Sequence, residues 1–464
     1  MPTKPVDSKA ESGSGQTQFL NVVTRDEATD RFRRHLRLGP LGSETVPLQD
    51  ALNRVLAEDV LADVDVPGFD RSNVDGFAVQ AADTFGAMEE SPRRVRTNDE
   101  VLAPGVVPGQ AVVAGFATAI ATGGMLPRGA DAVLMVEHSE LVAADDGGWM
   151  EIRRPLTAGD NVSYAGTDIA RGETVLRAGQ QLTSREIGVL AALGLARVNV
   201  WRKPRVAIFS TGNEIIAPGK PLPPGAVYDS NAAIIGAAVE ELGGVAVHLG
   251  VIRDDEPALA RALAQGLQSD IVVFSGGTSK GAGDLSYRVV HGLTNPGVVA
   301  HGVALKPGKP ICLAVTDGKP VVILPGFPTS AIFTFHEFLA PVLRAFAGLP
   351  MERPHSVTAT LPMRVNSERG RTEYMLVGLV QGAQGISAYP MGKGSGSVTT
   401  FSGADGFITI DQHTEILDSG STVSVQLLGK QLEPADLVII GSHCVGLDLI
   451  IGKLMRQGIR TKSL

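Results

Sequence analysis

Between residues 204 and 347, short apolar runs alternate with helix-length segments, and the spacing leaves few folds open. Strand candidates at 205–210, 245–252, 270–275 and 321–324 are separated by segments of helical periodicity at 231–242, 256–267, 285–293 and 329–346. The strand runs are rich in Val and Ile, the composition of strands buried on both faces. Such alternation predicts a three-layer α/β/α domain with a mainly parallel sheet. Ligands of these sheets bind beyond the carboxyl ends of the strands, so function is expected in the loops that follow them.

Those loops are polar and specific. Residues 270–284 read DIVVFSGGTSKGAGD. After the strand, Ser275, Gly276, Gly277, Ser279 and Lys280 offer exposed N–H groups and one cation to an oxyanion, because glycine lets backbone approach a ligand closely. Asp284 closes the loop, Glu214 follows the first strand in Ser210-Thr211-Gly212-Asn213-Glu214, and Asp254 follows the second in Arg253-Asp254-Asp255-Glu256. Three carboxylates from three strand ends suit a divalent cation shared with a phosphate, so Glu214, Asp254 and Asp284 are the expected Mg²⁺ ligands. Taken singly, each could equally cap a helix or sit in a surface turn. Lys306 and Lys309, in KPGKP, supply positive charge, and LPGFP brings Pro325 and Pro328 to the same rim.

A chain of 464 residues should hold several domains. Its 41 basic and 49 acidic side chains give a net charge of −8 without a long basic run, which argues against nucleic-acid binding. Cys312 and Cys444 lack metal-ligand spacing and read as small fillers in a reducing cytoplasm. The polar, Gly/Ser-rich residues 1–18 read as a disordered leader without the apolar core of a signal peptide, and no later stretch reaches membrane-spanning length. Thr24 to Glu27 forms a capping box opening a helix to about Leu38, residues 47–58 show helical spacing, and a second capping box spans Thr183 to Glu186. These segments are expected to pack together as a helical linker domain (19–62 and 153–200). A β-rich domain is inserted at 63–152, with strand candidates at 111–114 and 132–136. The α/β domain takes 201–350. Apolar runs after Pro354 predict a small β-domain at 354–430, and 434–464 reads as one strand and one helix.

With these loops in this order, the chain resembles the molybdopterin molybdenumtransferases, a family that includes the E domain of gephyrin. The likeness extends to PGFDRSNVDGFA at 67–78, similar to the family's PxFDNSAMDGYA, to ATGGMLP at 121–127, and to GTDI at 166–169. It covers about residues 19–430. The resemblance implies Mg²⁺-dependent insertion of molybdate into adenylylated molybdopterin with release of AMP. It also implies a cytoplasmic homodimer, with the adenylyltransferase and molybdoenzyme apoproteins as further partners. By motif position it adds Asp75, Thr122 and Asp168 to Glu214, Asp254 and Asp284 as catalytic residues, and Arg371 and Ser397 to the ligand-binding set. The tail at 434–464 resembles the start of a periplasmic-binding-like domain, and a docked extra helix is the plainer alternative. The chain departs from the family pattern at Lys280, Gly302, Phe327 and Val398. Two other readings stay open: a molybdopterin adenylyltransferase, which shares the α/β fold, and a non-catalytic scaffold or oxyanion sensor.

Overall fold

The computed structural model describes residues 22–142, 148–276, 283–351, 355–383, 385–392, 394, 396–429, 435–441 and 444–463, the side chains of Gly283 and Asp284 excepted. The leader at 1–18 lies outside them. Contacts divide the chain into two compact units, Ser43–Val200 and the segments that flank it.

In Ser43–Val200 a six-stranded sheet runs in the order Ala132–Met135, Gly76–Val79, Phe116–Ile120, Arg93–Leu102, Trp149–Ile152, Ser139–Val142. The expected strand at 111–114 is irregular, and the strand begins instead at Phe116. Segments before and after this sheet in the chain pair with each other, Val60–Leu61 with Thr174–Leu176 and Arg71–Ser72 with Val162–Ser163. The helix expected over residues 47–58 does not form. Residues 47–58 form only a single 3₁₀ turn, Leu48–Asp50, before Asn53 adopts a left-handed φ of 63°. Val55 and Leu56 then bridge to Gln181 and Val200. Helical spacing loses because burying Val46, Ala51 and Leu56 against Leu176, Leu182 and Leu190 requires extended backbone. One helix, Ser184–Ala192, survives on its capping box, with Thr183 N donating to Glu186 Oε2 at 2.8 Å.

The other unit opens with α1 (Arg25–Arg33), capped by Thr24 Oγ1, which accepts from Glu27 N. It stops short of Leu38. It packs on the α/β block, where Ala28 and Phe32 join Val206, Ile235 and Leu313. The block contains β1 (Arg205–Thr211), α2 (Ser230–Glu241), β2 (Val245–Ile252), α3 (Glu256–Gly266), β3 (Ile271–Ser275), α4 (Gly283–His291), β4 (Pro296–His301), β5 (Cys312–Thr316), β6 (Lys319–Leu324), α5 (Pro328–Thr334) and α6 (Ala340–Phe346). Strand order is β2-β1-β3-β6-β5-β4. The first four are parallel, with Val206 opposite Ile271 and Val272 opposite Val321. β5 and β4 are antiparallel, so the sheet is mixed. Alternate side chains fill two cores: Val206, Ile208 and Val273 face α2, while Phe209, Val272 and Phe274 face Leu259 and Leu263 of α3. Each buried side chain of this size contributes about 1.5–3 kcal/mol, which fixes the register of the strands and hence of their ends. The helix expected over 329–346 is interrupted by a π-turn, Phe335–Leu339, just before Pro341, whose missing N–H a regular helix would have used.

Beyond the block, β7 (Ser356–Thr360), β8 (Thr372–Gly382), β9 (Gly385–Pro390), α7 (Val398–Gly403), β10 (Gly406–Ile410) and β11 (Thr422–Leu427) build the small β-domain. Its strands run β8-β9-β7-β11-β10, and β10 pairs back onto β8, closing a barrel around Val377, Leu379, Ala388, Ile408 and Val425. Leu305–Lys306 leaves the α/β block to pair alongside β8, setting Lys306 opposite Glu373. Phe333 of α5 stacks on Tyr374 of β8 at 5.4 Å, with the edge of Phe407 against it, which fastens barrel to block. The tail holds β12 (Leu437–Ile439), α8 (Val445–Arg456) and a second strand, β13 (Thr461–Ser463), parallel to β12 and absent from the sequence expectation. Lys462 of β13 pairs with Asp405 of the barrel.

Candidate functional site

A cavity of about 1180 Å³ opens where the carboxyl ends of β1, β3 and β6 meet strand β8 of the barrel. Its floor comes from Ser210, Thr211, Ser275 and Gly276. Gly276 has φ of 98°, and a side chain there would place Cβ 2.6 Å from Thr211 O, so only glycine lets the two strand ends close this tightly. Ser210 Oγ, Thr211 Oγ1 and Asn231 Oδ1 are buried and have no hydrogen-bond partner among the described residues. Orphaned polar atoms are costly, and their concentration beside one cavity points to a polar ligand. Asn231 Nδ2 donates to Gly326 O at 2.8 Å, tying α2 to the loop after β6. Asp229 caps α2, accepting from Ala232 N.

The cavity wall carries the cations. Lys306 Nζ lies 3.2 Å from Glu368 Oε1 and 3.4 Å from Glu373 Oε2. Glu373 is buried and also accepts from Ser367 Oγ at 2.7 Å, so the lysine is held in place by a fixed carboxylate. The Lys306 ammonium in turn keeps the Glu368 carboxyl below its ordinary range. Arg371 lines the same wall and donates to Glu368 Oε2 at 3.1 Å; Lys309, Pro325 and Pro328 line it too. Ser397 does not reach into the cavity: its hydroxyl caps α7, accepting from Thr400 N, while the neighbouring Gly396 and Val398 form the lining.

Glu214 lines the cavity as well. Asp254 stands just outside, its N–H donating to Asn213 Oδ1 at 3.4 Å, so the β2 end abuts the loop that carries Glu214. Burial first, and the Glu214 charge second, push the Asp254 carboxyl above the usual 3.8, and its Oδ1 is buried without a partner among the described residues. A carboxylate in that condition gains from a cation. Gly277, Ser279, Lys280 and the Asp284 side chain lie outside the described residues, and among the described ones no three His, Cys, Asp or Glu groups gather as a metal site.

Asp75, Thr122 and Asp168 belong to the Ser43–Val200 unit. Asp75 Oδ1 accepts from Thr122 N at 2.7 Å and from Thr122 Oγ1 at 3.0 Å, and these bonds hold its carboxyl below the ordinary value. Asp168 is exposed on the turn whose backbone bonds to Val66.

Residues 23–194 match the MoeA N-terminal region (domain I and II), 207–345 a probable molybdopterin binding domain, and 358–428 the MoeA C-terminal region (domain IV). The chain is 34% identical over 410 residues to the molybdopterin molybdenumtransferase of Bacillus subtilis, covering 88% of this chain and 94% of that one. It is 37% identical over 342 residues to molybdopterin molybdenumtransferase 2 of Mycobacterium tuberculosis, covering 71% and 82%. The crystal structure of a molybdopterin biosynthesis MoeA protein from Pyrococcus horikoshii superposes with a TM-score of 0.76 at 38% identity, covering 89% of this chain and all of that one. The chain belongs to the MoeA family. Its mixed-sheet block, N-terminal region and terminal β-domain are those of a MoeA fold.

The sequence reading did not single out Asn231, Tyr374 or Glu373, all of which line the cavity. Glu373 could have been found, since an acidic residue in a strand is unusual. Asn231, on the buried face of a helix, carried the same kind of signal.

Proposed function

We propose that the protein is a molybdopterin molybdenumtransferase: it binds adenylylated molybdopterin and molybdate, inserts the metal into the dithiolene and releases AMP. The observation that carries this reading is a cavity lined by glycine-rich strand ends, by hydroxyls that have no partner among the described residues, and by Lys306, Lys309 and Arg371. The backbone and hydroxyl groups suit a tetrahedral oxyanion, and the cations suit a diphosphate. The match of residues 23–194 to the MoeA N-terminal region favours the transferase over an adenylyltransferase. Retention of this polar lining disfavours a non-catalytic scaffold.

In this reading Glu214 and Asp254, with Asp284, hold Mg²⁺. The donors fit, because they are hard carboxylate oxygens and one of them is buried without a partner among the described residues. Bound there, the cation would neutralise charge on the diphosphate. The protein's own groups orient the substrate: Lys306, steadied by Glu373, places positive charge in the cavity, and the rigid Pro325–Pro328 turn helps to shape its lining. Asp75, Thr122 and Asp168, on the Ser43–Val200 unit, are assigned catalytic roles by their motif positions alone. The working form in this reading is a cytoplasmic homodimer, as the family resemblance implies.

The test incubates purified protein with adenylylated molybdopterin, Mg²⁺ and molybdate and follows AMP. Release that depends on molybdate is expected. Nucleotide formation from ATP and free molybdopterin would instead support the adenylyltransferase.

A further inference from the structure

Phe327 occupies a position that neither packing nor helix capping explains. It sits at the N-cap of α5, where Ser, Thr, Asp or Asn would accept a backbone hydrogen bond and where Phe makes none. Phe327 is 62% exposed. Single exposed apolar side chains are ordinary on a protein surface, but this one is held rigidly inside the cavity just described. Pro325 and Pro328 flank it, Asn231 ties down Gly326, and Phe327 O accepts from Ala331 N at 2.9 Å. Behind the ring stands Gly396, at which even a β-carbon would come within 3.5 Å of the phenyl edge. Val398, 42% exposed, lines the cavity from the same loop. Phe327 and Val398 thus give an apolar surface to a cavity that Lys306, Lys309 and Arg371 also line. Its volume of about 1180 Å³ far exceeds the space one tetrahedral oxyanion needs.

We infer that Phe327 is a specificity-determining residue whose ring stacks on the planar heterocycle of the substrate while Lys306 and Lys309 take its phosphates. This rests on the transferase reading for the substrate class, and the heterocycle is either the adenine or the pterin of the same molecule. Stacking suits the geometry because a rigid ring loses little freedom on binding and every heterocycle offers a π-face.

Calorimetric titration of the full chain decides it, with AMP, 6-(hydroxymethyl)pterin phosphate and ribose 5-phosphate as probes against the wild type, Phe327→Ala and Phe327→Tyr. Removing a stacked ring weakens binding by about tenfold or more. That loss is expected in Phe327→Ala for AMP, for the pterin phosphate or for both, with ribose 5-phosphate unchanged and Phe327→Tyr within about twofold of wild type; the probe affected identifies the ring. Equal losses for all three probes, no loss for any, or failure of Tyr to restore binding overturns the inference. These titrations require no turnover, so absence of molybdate-dependent AMP release by the wild type would count against the transferase reading alone.

Discussion

Asp75 and Asp254 carry the same functional group on the two units of the molecule, yet their surroundings prepare them in opposite ways. Asp75 is exposed and doubly hydrogen-bonded by Thr122, so its ionised form is favoured. Asp254 is half-buried beside Glu214 with one oxygen unpartnered among the described residues, so its ionised form is disfavoured. Hydrogen bonding to the charge and desolvation of the charge are distinct causes of a shift and imply distinct uses. A satisfied carboxylate holds a loop in shape and presents a fixed charge. An unsatisfied one is poised to accept a cation.

The largest effect expected from this contrast is on Asp254→Asn. Molybdate-dependent AMP release should fall about 100-fold or more, the scale of losing one preorganised electrostatic contact, without loss of thermal stability. The sign follows from linkage: a carboxyl whose folded-state pKa is raised contributes stability that is present below the unfolded value and lost as pH rises through the folded one. A neutral amide escapes that loss, so the melting temperature at pH 7 should equal or exceed that of the wild type. A destabilised Asp254→Asn would show that the carboxylate already has a partner and would break the comparison. Asp75→Asn should cost less, about tenfold in rate, the scale of replacing a hydrogen bond to a charged group by one to a neutral group, because the amide oxygen can still accept from Thr122. If it costs more than Asp254→Asn, the roles assigned to the two are reversed.

Mg²⁺ sharpens the same contrast. If Asp254 holds Mg²⁺ as proposed, proton and metal compete for it, and the rise in melting temperature given by saturating Mg²⁺ should be full near pH 7. It should shrink as pH falls through the raised Asp254 value, which lies above 3.8. In Asp254→Asn the rise should be absent at every pH. A pH-independent rise would place the ion elsewhere.

How much of this was legible in the sequence depended on the length of each element. Strands such as Val245–Ile252 and helices such as Glu256–Gly266 are long enough for periodicity to declare them, and the parallel strands bring Glu214, Asp254 and Gly276 to one end of the sheet. The β4–β5 edge was missed, although β5 and β6 are joined by Asp317-Gly318, both at positive φ, a strong short-range hairpin signal. The linker region was not legible. Val60–Leu61 and Arg71–Ser72 are two residues each, too short for any period, and their partners lie about a hundred positions away in the chain. Pro47 to Glu58 even carried the wrong period. Among the candidate residues, those on strand ends were found from residue type and place, whereas Glu373 became visible only when the pairing of Lys306 with β8 set the two side by side.

The smallest effect tests the other arm. Thr122→Val removes the hydroxyl that donates to Asp75 and keeps the backbone donor, which is the larger of the two causes of its lowered pKa. The Asp75 carboxyl should therefore titrate between its wild-type value and the ordinary 3.8, measurable by carboxyl carbon NMR. Because a lowered carboxyl contributes stability above its unfolded pKa that is lost as pH falls through the folded one, Thr122→Val should be slightly less stable than wild type near neutrality. The Asp75 part of that difference should vanish below both pKa values. An unmoved titration would mean that the backbone N–H alone sets the state of Asp75. The hydroxyl at 122 would then be left free for the ligand rather than for the carboxylate.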